Sequence, residues 1–101
     1  MTKRVNFDLT GKVMIVTGAS KGIGKAIALA AAEWGADLAL GNRNIAEAEP
    51  VAAECRAMGR WVEAWSLDLA SVESINHFVD QVYQAFGRID VLVNNAGVNT
   101  P

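Results

Sequence analysis

Four consecutive apolar residues, Val13-Met14-Ile15-Val16, run straight into Thr17-Gly18-Ala19-Ser20-Lys21-Gly22-Ile23-Gly24, and a helical pattern starts within that glycine-rich stretch. No other feature restricts the fold as much. Periodicity alone would allow a strand or a helix in the apolar run. Its shortness, its β-branched content and the glycine behind it favour a strand buried on both faces. Beyond it Ile23, Ile27, Ala30 and Trp34 fall at helical spacing, and Gly35 supplies the stop. The alanines between them (Ala26, Ala28, Ala30, Ala31, Ala32) would let this helix lie close to a sheet.

The alternation then repeats. Leu38-Ala39-Leu40 reads as a second strand. Asn44 and Glu47 form a capping pair for a second helix with Val51, Cys55 and Met58 on one face and Gly59 at its end. Pro50 conflicts with that start, because inside a helix it loses a hydrogen bond and crowds the Ala46 carbonyl. The prediction is therefore a later start near Glu49 with Pro50 in the first turn, the alternative being a kink. Trp61 to Leu67 reads as a third strand, with Trp61, Glu63 and Trp65 on one face and Val62 and Ala64 on the other. Ser71 caps a third helix that turns Val72, Ile75, Val79, Val82 and Phe86 inward and stops at Gly87. Ile89 to Val93 forms the fourth strand, ahead of Asn94-Asn95-Ala96-Gly97.

The resulting βαβαβαβ pattern predicts an α/β fold: a doubly wound parallel sheet with right-handed crossovers and strand order 3-2-1-4. The first two helices cover one face and the third covers the other. The fourth strand keeps a free apolar edge, which a complete domain would normally cover. Residues 1–101 are thus expected to be the N-terminal part of a single domain. The length allows no more than one domain. With 51% hydrophobic and 20% charged residues the chain is not disordered. Glu33 and Asp37 interrupt the longest candidate membrane segment, and no apolar stretch follows Lys3-Arg4 to make a signal peptide. A net charge of −2 gives no sign of a nucleic-acid partner. Cys55 is the single cysteine, so neither an intrachain disulfide nor a thiolate zinc site is available, and no metal site is expected. The expected location is the cytoplasm.

The glycine stretch suggests an anion site. Gly18 permits the tight turn, Gly22 lets backbone approach a pyrophosphate, and Gly24 allows close packing of the helix. Amides around Ser20, Lys21 and Ile23 then face the anion at the positive helix end. A triphosphate loop does not fit: Gly24-Lys25 matches its centre, but Ala19 and Ala26 stand where a glycine and a hydroxyl are required. After the second strand the chain reads Gly41-Asn42-Arg43-Asn44, without the acid that would accept from an adenosine ribose 2′-hydroxyl and repel a 2′-phosphate. Arg43 has a planar fork suited to a phosphate, and Lys21 adds a second charge. With Asn42 in the acid's place, both favour NADP(H) over NAD(H). The plainer alternative is two solvated surface charges.

With these motifs in hand, the sequence resembles the short-chain dehydrogenase/reductase family over essentially its whole length, and so implies a Rossmann-like fold. The Thr-Gly-x3-Gly-x-Gly loop is Thr17 to Gly24, the Asp-Leu pair after the third strand is Asp68-Leu69, and the Asn-Asn-Ala-Gly segment is Asn94 to Gly97. The lead-in Phe7 to Lys12 is also similar. The resemblance implies that Asp68 holds the adenine amino group, with the Leu69 amide on the ring. It implies that Asn95, Ala96 and Gly97 line the cofactor by their backbone, and that Asn94 helps hold the sheet. It further implies hydride transfer between nicotinamide and a small carbonyl or alcohol, and a homo-oligomer for the complete enzyme.

The family's chemistry uses a Tyr-x3-Lys pair, in which the lysine favours the phenolate, together with a serine and a further asparagine. Tyr83 is the one tyrosine, and Gly87 stands four residues on. No catalytic residue is therefore assigned, and this chain alone is expected to be inactive. His77 reads as a surface residue, Cys55 as a core residue, and Trp34, Trp61 and Trp65 as packing. The expectation is an NADP(H)-dependent oxidoreductase represented by its cofactor-binding part. A non-catalytic nucleotide-binding module and a truncated remnant stand as alternatives.

Overall fold

A computed structural model describes residues 8–95. The order is β1 (Val13–Thr17), α1 (Gly22–Glu33), β2 (Asp37–Asn42), α2 (Ile45–Ala57), β3 (Val62–Ser66), α3 (Val72–Phe86) and β4 (Val91–Asn94). The four strands form one parallel sheet in the order β3-β2-β1-β4, as the alternation predicts. Every residue of β1 is buried, in keeping with a central strand covered on both faces.

Strand alternation divides the core in two. Met14, Val16, Leu38, Leu40 and Val62 meet α1 and α2 on one side, while Val13, Ile15 and Ala39 meet Phe78 and Val82 of α3 on the other. Trp65 packs edge-on against Phe78 and Phe86, and Trp61 stacks at a tilt on Phe86. These tryptophans are packing residues, as expected. Cys55 is buried, with Sγ 3.7 Å from the Ala28 carbonyl, and burial pushes its thiol pKa up.

Three expectations need correction. First, α2 starts at Ile45 rather than near Glu49, and Pro50 lies inside it. Asn44 supplies the cap by accepting from the Ala46 amide at 3.0 Å. Ala46 and Pro50 are both exposed, so water can take the carbonyl that the missing N–H leaves open. Second, α1 does not bury Ile23 or Trp34, which are 69% and 44% exposed. It buries Gly24, Ala28, Ala31 and Ala32, because only small side chains fit where the helix lies tight on the sheet. Third, Val72 is exposed at the start of α3, and Phe78, which the pattern passed over, is buried in the same core that Phe86 packs against. Met58 is likewise more exposed than expected, just past the end of α2.

Strand limits also shift. β2 extends to Asn42, and β4 begins at Val91 because Asp90 is used as a clamp. Its amide donates to the Val13 carbonyl, and its carboxylate accepts from the Val13 amide, both at 2.9 Å.

Candidate functional site

Parallel strands bring their C-terminal ends to one edge. Thr17 pairs in register with Gly41 and Asn94, and Asn42 with Ser66. A cavity of about 550 Å³ opens over this edge, lined by Gly18, Ser20, Lys21, Gly41, Asn42, Arg43, Leu67, Asp68, Leu69, Ala70 and Asn95. Ligand crevices in open α/β sheets form at such an edge, where the winding reverses. Here β1 is the reversal, with β2 on one side and β4 on the other.

The loop from β1 to α1 is held by side chains. Thr17, 3% exposed, donates its hydroxyl to Asn94 Oδ1 at 2.9 Å and accepts from the Asn95 amide at 2.9 Å. Asn95 Nδ2 in turn donates to the Gly18 carbonyl at 3.3 Å. The end of β4 therefore fixes the glycine loop, and Asn94 joins the sheet ends. Gly18 has φ +67° and Gly22 φ +63°, both in the left-handed region. A Cβ on Gly22 would stand in open space, whereas one on Gly24 would strike the Gly18 carbonyl. The first leaves backbone accessible and the second seats the helix on the loop. Lys21, the N-cap of α1, contributes no side-chain cap, and the first turn carries no acid. Its leading amides and positive end thus keep the electrostatics that suit an anion.

On the far side of the cavity Arg43 and Asp68 form an ion pair, Nη2 to Oδ1 at 3.6 Å, with both side chains substantially exposed. Asp68 Oδ1 also accepts from the Ala70 amide at 3.0 Å, so the carboxylate tightens the turn into α3 as well as facing the cavity. Ser71 still caps α3, through the Ser74 amide. Asn42 donates from Nδ2 to the Asn44 carbonyl at 3.3 Å. Its Oδ1 is buried and has no hydrogen-bond partner.

The structure thus gathers Gly18, Ser20, Lys21, Asn42, Arg43, Asp68, Leu69 and Asn95 around one cavity. Gly22, Ile23 and Gly24 form the adjacent first turn of α1 and do not line it. Ala96 and Gly97 lie outside the described residues. Sequence reasoning passed over Gly41, Leu67 and Ala70, which line the cavity, and the bridging role of Thr17. A polar residue closing an otherwise apolar strand was the available signal for Thr17. Among the described residues there is no group of metal ligands, and no helix is long and apolar enough to cross a membrane.

A glycine turn joining a buried parallel strand to a helix, beside a crevice at the winding reversal, defines a Rossmann-type nucleotide-binding fold. The family is equally definite. A family model described as short chain dehydrogenase matches residues 12–101. An uncharacterized oxidoreductase of Mycobacterium tuberculosis is 41% identical over 95 residues, covering 94% of this chain and 36% of that protein. Two solved structures are also similar. A metagenomic short-chain oxidoreductase in complex with NADP is 44% identical with a TM-score of 0.84, over 88% of this chain and 40% of the other. An NAD+-bound xylitol dehydrogenase is 42% identical with a TM-score of 0.85, over 88% and 34%. The chain belongs to the short-chain dehydrogenase family. It spans roughly a third (36%) of the length of the first curated relatives it matches.

Proposed function

We propose that residues 1–101 are the N-terminal, cofactor-binding part of an NADP(H)-dependent oxidoreductase that acts on a small carbonyl or alcohol. The observation that carries this reading is the pairing of two basic residues, Lys21 and Arg43, at one cavity whose β2 end holds Asn42 and no acid. NADP(H) fits the residues present. The glycine loop and the first turn of α1 (Gly18, Ser20, Gly22, Ile23, Gly24) take the pyrophosphate, Arg43 and Lys21 take the 2′-phosphate, and Asp68 and Leu69 take the adenine. Asn95, Ala96 and Gly97 would line the cofactor by their backbone. The open space beside Gly22 suits close approach of a polar ligand to the backbone there. The bound nicotinamide would supply hydride chemistry.

The sequence carries no Tyr-x3-Lys pair, so the proton-transfer step is assigned to residues beyond these 101. A homo-oligomeric, cytoplasmic enzyme is the setting that goes with this reading. Fluorescence titration of the chain with NADPH, followed by displacement with adenosine 2′,5′-bisphosphate, tests it. Saturable binding reversed by the bisphosphate is the expected result. Binding that the bisphosphate fails to displace would remove the 2′-phosphate assignment.

A further inference from the structure

Gly41 stands one residue before the end of β2, where the backbone serves both sides of the cavity. Its carbonyl accepts from the Gly18 amide at 3.0 Å, and the next carbonyl, that of Asn42, accepts from the Leu67 amide at 2.9 Å. The φ of Gly41 lies outside the left-handed region, so the backbone does not require glycine there. The reason for glycine is space. A Cβ at this position would lie 2.7 Å from Leu67 Cδ2 and 3.1 Å from the Phe78 ring. Glycine inside a strand weakens it and marks a place where another group comes close. Phe78 has little freedom to yield, being 2% exposed and set edge-on against Trp65. The main chain around Leu67 is also tied, by its own amide and by the Asp68 amide, which donates to the Ser74 hydroxyl at 2.9 Å. The tip of the Leu67 side chain is the part that can move.

Leu67 lines the nucleotide cavity and also a second, apolar cavity of about 210 Å³ between α3 and β4, whose walls include Ile75, Val79 and Leu92. It is part of the partition between the two, with room for its tip on either side. We propose that Gly41 is a positioning residue for the cofactor: by carrying no side chain it seats the Leu67 tip, and Leu67 so seated is the apolar wall behind the base end of the dinucleotide. A methyl on Gly41 unseats that tip. Turned into the nucleotide cavity, the tip takes space from the base. Turned into the second cavity, it takes the wall away. Both weaken the base end, and both leave the glycine loop as it is, because the Gly41 carbonyl still accepts from Gly18. This inference rests on the proposed cofactor site.

The test is calorimetric titration of the 101-residue chain with NADP+ and, separately, with inorganic pyrophosphate, which reports on the glycine loop alone. Gly41→Ala should weaken NADP+ binding about 5- to 20-fold, the worth of part of one leucine contact, and pyrophosphate binding by less than about 2-fold. Leu67→Val removes the methyl that the new side chain meets. In that background Gly41→Ala should change NADP+ affinity by less than about 2-fold, because the two substitutions act through one contact. The same loss in both backgrounds, an equal loss of pyrophosphate binding, or an unchanged NADP+ affinity overturns the proposal. The unaltered chain gives a check that needs no variant to fold. Its Leu67 methyl signals should shift on saturation with NADP+ and stay in place with pyrophosphate. Leu67 methyls that do not respond to bound NADP+ overturn the proposal while leaving the cofactor site standing. An unaltered chain that binds neither ligand overturns both.

Discussion

The Thr17 hydroxyl and the Asn94 side-chain oxygen lie 2.9 Å apart, joining the last residues of β1 and β4 through side chains as well as through the ladder. The same hydroxyl accepts from the Asn95 amide. Thr17→Val keeps the shape but strands a backbone donor and a side-chain acceptor. The expected loss is about 1–3 kcal/mol of stability, read as a lower urea midpoint. An unchanged midpoint would mean that the bridge is replaced by water at no cost.

Gly24→Ala places a methyl against the Gly18 carbonyl, and that oxygen belongs to backbone, which cannot swing aside. Overpacking of this kind costs about 1–3 kcal/mol. Because the displaced atom is in the glycine loop, NADPH affinity should fall with it. Gly22→Ala makes a useful contrast. There the added methyl meets open space, and the strain comes from φ +63° alone. Comparing urea midpoints with NADPH affinity across the two variants separates helix seating from ligand approach.

Much of this architecture is visible in the sequence, for identifiable reasons. β1 and the apolar part of β2 are buried on both faces, so they stand out as short unbroken apolar runs. The errors fall where a local rule meets a particular environment. Pro50 would end a buried helix, but its lost bond falls on the solvent side of α2. Ranking α1 by hydrophobicity selects Ile23 and Trp34, whereas tight packing selects alanine. The site divides in the same way. The glycine loop is local and legible. The meeting of Arg43 with Asp68 depends on β2 and β3 lying side by side, and the orphan acceptor of Asn42 depends on how the next turn folds.

Arg43→Ala should weaken NADP+ binding by about 10- to 100-fold, the worth of a charge-assisted contact to phosphate. NAD+ should change little, because it has no 2′-phosphate. The exposed Arg43–Asp68 pair itself adds little stability, so the variant's thermal midpoint should stay close to that of the parent. Equal weakening of both dinucleotides in paired titrations would show instead that Arg43 supports the loop and does not select the cofactor.

Asp90 gives a pH signature at the opposite end of the sheet. The Arg88 guanidinium, at 2.8 Å, and the Val13 amide hold its carboxyl below the ordinary 3.8. A carboxylate whose pKa is lowered by folding stabilises the fold above its unfolded pKa. That contribution is lost as pH falls through the folded value. Urea midpoints taken from pH 6 down to pH 2 should therefore fall more steeply below about pH 4 in the parent than in Asp90→Asn. Parallel curves would show that the clamp does not depend on charge.

The account depends most directly on where a dinucleotide touches this chain. Amide chemical shifts of the 101-residue chain, recorded during NADP+ titration, locate that contact. Saturable shifts at Gly18, Ser20, Lys21, Arg43, Asp68 and Leu69, with little change along the outer face of α2, are the predicted result. Shifts confined to the apolar face between α3 and β4, or none at saturating NADP+, would contradict it.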